Sequence, residues 1–300
     1  MRKRLAALAL IFCLALAGCG RGAAQTAIAV PERPAASLPP LERRDAAQDG
    51  EPVPVFFDAL LSARGLEKGG ACFVPLTPLC RRAGLEGEWS GDEEAFALSI
   101  GALRVEGEKG REYLTASGRY LYAPEGWLVR GGELYLSERT ADKLFTLTSA
   151  RDGEGLHFDF SGLSLLRGGE NYYELNYPEE ELYWLSHIIN AEAKFEPLAG
   201  QIAVGNVVMN RVKNELFPNT VFEVIYDNEH VIQFEPVGLG GIRQDPTEEA
   251  VIASYLVLER ANVVGDCLYF VNPEYGSAWF DSALELRAVI GHHNFYADKD

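Results

Sequence analysis

The apolar pattern of this 300-residue chain changes its period once, near residue 170, and no single uniform architecture suits both halves. Before that point, runs such as Ala95-Phe96-Ala97-Leu98-Ser99-Ile100, Leu103-Arg104-Val105, Tyr120-Leu121-Tyr122 and Leu156-His157-Phe158-Asp159-Phe160 alternate or stay apolar for a few residues and are broken by glycine. They predict short β-strands. Two stretches share one plan. Phe73-Val74-Pro75-Leu76 leads into a helix-like segment ending Ala83-Gly84-Leu85 and then Glu88-Trp89-Ser90, while Leu134-Tyr135-Leu136-Ser137 leads into Thr140 to Phe145 and then Thr146-Leu147-Thr148. Strand, short helix, strand is therefore expected twice.

From Asn171 onward the period is helical. Asn176-Tyr177-Pro178, followed by Glu179, Glu180 and Glu181, supplies a cap candidate, an early proline and negative charge in a first turn; this helix runs to about Lys194. A second runs from Leu198 to about Glu215, with Ile202, Gly205, Val208, Met209 and Val212 along one side. A third starts at Asp245-Pro246-Thr247-Glu248 and places Ala250, Ile252, Ala253, Leu256 and Val257 inside. Cys267 to Tyr296 mixes short strand-like runs with aromatic loops. The expected fold class is α+β: a small β-rich α+β module over residues 51–165, then a second domain over 170–300.

The first 50 residues belong to neither. Met1-Arg2-Lys3-Arg4 is a basic start, Leu5 to Ala17 is an apolar run well short of the ~20 residues that cross a bilayer, and Leu16-Ala17-Gly18-Cys19 follows. Residues 1–19 are expected to be a secretion signal. The Leu-Ala-Gly-Cys tetrad resembles a bacterial lipobox, which implies lipidation at Cys19 and a membrane anchor; a plain signal peptide cut nearby is the alternative. Residues 20–50, rich in Ala, Pro, Arg and Gln, read as a disordered linker that reaches ~100 Å fully extended. The protein is expected outside the membrane, anchored to it and facing the wall, or secreted. A net charge of −17 argues against a nucleic-acid partner. Of five cysteines, Cys13 and Cys19 fall in the leader, leaving Cys72, Cys80 and Cys267; an odd number cannot all pair, and Cys72 with Cys80 is the only pairing considered against three buried thiols.

Glu192 is the residue that points to chemistry. It follows Leu185, Ile188 and Ile189 at the spacing that stacks side chains on one helix face. A carboxyl on an apolar face tends to hold its proton, and a Glu protonated near neutral pH is a general acid. The alternative is a half-exposed Glu at the helix edge, or a structural ion pair.

Around it stand Asn190-Ala191-Glu192-Ala193-Lys194-Phe195-Glu196-Pro197, Gly200-Gln201-Ile202-Ala203-Val204, Val207-Val208-Met209-Asn210-Arg211-Val212, Phe217-Pro218, Gln233-Phe234, Phe270-Val271-Asn272-Pro273 and Gly291-His292-His293-Asn294-Phe295-Tyr296. In order and spacing these resemble the SleB-type cell wall hydrolases, the spore cortex-lytic enzymes, over about 120 residues. Residues 51–165 resemble the copper amine oxidase N-terminal-like domain, although His157 stands without a histidine cluster and gives no support for copper. The first resemblance implies a lysozyme-like catalytic domain, peptidoglycan of spore cortex or vegetative wall as the partner, no cofactor, and Glu192 as the catalytic residue. It also implies a lytic transglycosylase, in which the C6 hydroxyl of N-acetylmuramic acid attacks C1 and one Glu serves as acid and then base. Phe195 stands where the family pattern has Gly, and Glu235 where it has a small hydroxyl residue.

Hydrolysis, the alternative, ordinarily needs a second carboxylate about 5 Å away for retention or about 6.5–9.5 Å for inversion. Glu196, Glu235 and Asp281 are the candidates, with Glu196 read as orienting or solvated rather than nucleophilic. Aromatic and amide groups grip sugars, and Tyr226, Gln233, Phe234, Tyr269, Asn272, Tyr275 and Trp279 are the supply. The expected substrate-binding set is Glu196, Gln233, Phe234, Glu235, Asn272 and His293, with His293 in a structural hydrogen bond beside the groove. No metal site is expected: His292 and His293 with Cys267 or His187 have poor spacing for zinc. The competing functions are a muramidase, an amidase releasing stem peptides, and a wall-binding protein without catalysis.

Overall fold

The computed structural model describes residues 50–167, 177–227, 234, 241–275 and 278–299. The signal, Cys19 and the linker lie outside the described residues. The chain forms two compact units, one reaching to Leu175 and one running from Asn176 to the end. It is mixed α+β, β-rich first and mainly helical second.

In the first unit, β1 (Glu51–Phe57), β2 (Leu60–Lys68), β3 (Ala71–Pro75), β9 (Trp127–Arg130), β10 (Glu133–Ser137), β11 (Thr148–Arg151) and β12 (Leu156–Asp159) make a seven-stranded sheet in the order β11-β12-β1-β2-β3-β10-β9. A five-stranded meander of β4 (Gly87–Gly91), β5 (Ala95–Ile100), β6 (Leu103–Glu108), β7 (Tyr113–Ala116) and β8 (Arg119–Tyr122) forms the second sheet. The strict alternation of β5 and β6 buries Phe96, Leu98 and Ile100 against Leu103 and Val105. Both expected strand-helix-strand pieces are present. β3 feeds α1 (Leu76–Ala83) and β4; β10 feeds α2 (Glu138–Phe145) and β11. β3 and β10 pair side by side, but β4 opens the small meander whereas β11 stays in the large sheet. Period cannot reveal that divergence, because it is set by which partner edge each strand finds.

One apolar core, including Val55, Phe57, Leu79, Leu98, Leu134, Phe145 and Phe158, draws on both sheets and both helices. Cys72 and Cys80 lie in it as free thiols, and Cys267 is buried and free in the second unit. The disulfide alternative is thereby closed.

The second unit is built on α3 (Glu179–Ala193), α4 (Leu198–Lys213), α5 (Val221–Tyr226), α6 (Glu248–Leu258) and α7 (Ala278–Ala283), with a small sheet of order β13-β15-β14 from β13 (Tyr269–Val271), β14 (Leu284–Ile290) and β15 (His293–Asp298). Pro178 itself takes the cap position of α3, without a side-chain cap, and Glu179 to Glu181 lie in the first turn as expected. Thr247 caps α6 by accepting from the Ala250 amide at 3.2 Å. The three long helices converge on Gly205, where a Cβ would sit 2.8 Å from both Ile189 and Val257. Only hydrogen fits between α3, α4 and α6 at that point. On α4, Asn206 donates to Ala261 O (2.6 Å) and accepts from Val263 N (2.9 Å), and Asn210 donates to the Gly265 and Cys267 carbonyls. These side chains pin the link between α6 and β13.

Candidate active site

Glu192 is the penultimate residue of α3, one turn beyond Ile188 and Ile189, which are fully buried. Its own side chain is half-buried rather than enclosed. The expectation of a buried carboxyl is corrected accordingly, because the helix ends one residue later and the chain turns away. At this position a carboxyl meets an apolar wall on one side and solvent on the other.

Arg211 is a buried cation whose charge interacts with Glu192. It is 3% exposed, donates from Nε to Leu268 O at 2.8 Å, and holds its guanidinium 5.1 Å from the Phe234 ring centroid, 5.3 Å from Phe217 and 5.9 Å from Tyr269. Burial pushes it down to about 10, against the pull of Tyr269, Glu192 and Asp227, which favour the cation. Arg211 thus stays charged at neutral pH and shares its field with Glu192. Sequence reasoning saw Arg211 within a motif but gave it no role; a cationic residue in an otherwise apolar helix was the available signal.

Glu196 is turned away from solvent. Its side chain is 8% exposed, Oε2 accepts from the His292 amide at 2.9 Å, and Oε1 lies 2.9 Å from His292 Nδ1. Gly291, at φ 58, makes this possible: a Cβ there would run into Glu196 Oε2. Gln201 adds a bond from Nε2 to Glu196 O at 3.1 Å. Both carboxylate oxygens are therefore occupied in holding the α3–α4 corner to the β14–β15 turn.

His293 does not make the expected hydrogen bond. Its Nδ1 is buried without one, 3.9 Å from Glu196 Oε1, and its ring packs edge-on against Phe270. The neighbouring His292 makes the bond instead, because alternation along β15 turns His293 inward. Burial pushes the His293 pKa down, opposed by Glu196 and aided by His292. Phe234, expected in the groove, is 1% exposed and packs under Arg211. Asn272 is half-buried and accepts from the Glu274 amide at 3.0 Å, opening the short turn over Pro273–Tyr275. Gln233 and Glu235 lie outside the described residues. Asp281, the remaining second-carboxylate candidate, accepts from the Tyr296 hydroxyl at 2.7 Å. His187 is stacked on Tyr183 and bonded to its carbonyl, a structural role.

Exposed aromatics do occur. Trp184, Phe222 and Tyr226 form one surface cluster with ring centroids 4.7–5.5 Å apart, and Trp279 is exposed beside Phe280. Among the described residues, no group of three or more His, Cys, Asp or Glu could hold a metal ion.

The family model described as Cell Wall Hydrolase matches residues 195–296. Residues 195–296 are a cell wall hydrolase domain. The match opens at Phe195, three residues beyond Glu192. The hydrolase domain is homologous to spore cortex-lytic enzymes: 31% identical over 120 residues to that of Oceanobacillus iheyensis, covering 40% of this chain and 42% of the relative, and 32% identical to that of Bacillus cereus, covering 40% and 45%. The chain thus spans less than half the length of these curated relatives. A solved structure titled as the catalytic domain of the germination-specific lytic transglycosylase SleB from Bacillus anthracis is 30% identical and covers 40% of this chain and 97% of that one, with a TM-score of 0.37.

Proposed function

We propose that the protein is an exported, membrane-anchored lytic transglycosylase that cuts the bond between N-acetylmuramic acid and N-acetylglucosamine in peptidoglycan. Glu192 is its general acid and base. The observation that carries this reading is the half-buried Glu192, on an apolar wall and in the field of Arg211, at the edge of a cell wall hydrolase domain.

Glu192 gives its proton to the glycosidic oxygen as the C1–O bond breaks. The C6 hydroxyl oxygen of the muramic residue bonds to C1, and its proton passes to the Glu192 carboxylate, restoring the acid. No water is consumed and the product carries a 1,6-anhydro ring. A cation below the site stabilises the carboxylate midway through this cycle. Two of the three candidate second carboxylates, Glu196 and Asp281, are already engaged with His292 and Tyr296, which favours the route that needs only one.

In this reading residues 1–19 direct export, Cys19 carries lipid, residues 20–50 tether, and the first unit is a copper amine oxidase N-terminal-like module that positions the hydrolase domain on the wall. Spore cortex is the proposed substrate on the strength of the relatives' names, with vegetative wall as the comparison. The test is mass spectrometry of muropeptides released from both walls by the full chain and by Glu192→Gln. Anhydro-muramic ends that vanish in the variant are expected; reducing ends would make it a muramidase, free stem peptides an amidase, and no release a binding protein.

A further inference from the structure

Phe195 is the most solvent-exposed of the large apolar side chains described, at 86%. It is not on a loose loop. The Glu196 amide donates to Ala193 O at 2.9 Å, the Glu196 carboxylate is clasped by His292, and Gln201 holds the Glu196 carbonyl, so the chain is tied down at Ala193, where α3 ends, and again at Glu196. Lys194 holds its ammonium 5.0 Å from the Phe195 ring centroid and donates to Gln244 Oε1 at 3.4 Å. An aromatic ring in water, an ammonium and an exposed amide therefore share one ledge, a single turn of chain beyond Glu192.

We infer that Phe195, with Lys194 and Gln244 beside it, is a sugar-binding platform that seats an N-acetylated pyranose of the glycan strand next to Glu192. This rests on the function proposed above. The chemistry of the three groups selects the ligand. A pyranose presents a C–H face that stacks on an aromatic ring, and its hydroxyl and acetamide groups pair with an amide and an ammonium at the rim. A rigid ledge gives this contact without the ordering penalty of a mobile side chain.

The test uses the full chain carrying Glu192→Gln, which leaves strands uncut, and measures its binding to purified glycan strands by calorimetry, with Phe195→Ala and Phe195→Trp added singly. The ring is almost wholly in water, so both variants fold, as thermal melting checks. Phe195→Ala is expected to weaken binding about five- to tenfold while Trp retains it; in the active chain Phe195→Ala raises KM by a similar factor with kcat little changed. Equal binding by Phe195→Ala and its parent overturns the platform alone, as does a kcat loss at constant KM. A parent that binds no glycan strand overturns both the platform and the function on which it rests.

Discussion

In the proposed reaction Glu192 acts with one carboxyl, so Glu192→Gln should lower strand cleavage by at least about 10²–10⁴-fold while leaving the melting temperature within a degree or two, because the side chain is half-exposed. Arg211 is the opposite case. Arg211→Met removes a buried cation from three aromatic faces and frees the Leu268 carbonyl, and should destabilise the hydrolase domain by about 2–4 kcal/mol in urea unfolding. Two histidines give the domain a pH response. His187 and His293 both have pKa values pushed down by burial, so the unfolded chain takes up protons that the folded chain refuses. Their contribution is complete above the unfolded value near 6.5 and is lost as pH falls from there toward the lowered folded values; thermal melting at pH 7 and pH 5.5 should show the decline, and His293→Gln should reduce its slope. At this scale helical spacing placed Glu192 on the apolar face of α3, beside Ile188 and Ile189. The sequence did not show that Phe234 is buried or that His293 Nδ1 makes no hydrogen bond, since residue type does not say which face a short strand or a single loop residue turns inward.

The corner between α3 and α4 behaves as a built part. Glu196 and Gly291 act on the same contact, so their effects should not add. Glu196→Ala should lower stability by about 1–2 kcal/mol, Gly291→Ala should do at least as much through collision and a left-handed φ, and the double variant should be less stable than wild type by well under the sum. Additive losses in chemical unfolding would mean that the two residues hold different things. Helix starts were legible, at Thr247 and in the glutamates of α3, because caps and end charges are local chemistry. The hairpin clasp was not, since it joins residues 96 positions apart and only folding brings them together.

The two units differ in what their sequences could reveal. The β-rich unit declared its strands and its doubled motif but not the divergence of β4 from β11, which depends on pairing between distant segments. The hydrolase domain was legible through its spaced motifs, yet its buried arginine and its exposed phenylalanine emerged only with burial. The proposed lipid anchor is a property of the whole chain: with it, Cys19→Ser should abolish incorporation of labelled fatty acid into the protein, which metabolic labelling and immunoprecipitation check. The three described thiols, each pushed up to about 11 chiefly by burial, lead further. At such values almost no thiolate exists to attack a disulfide or meet an oxidant. Among the described residues the fold thus asks nothing of a disulfide-forming catalyst and gives a reductant nothing to cut, so these two units should hold equally well on either side of a redox boundary.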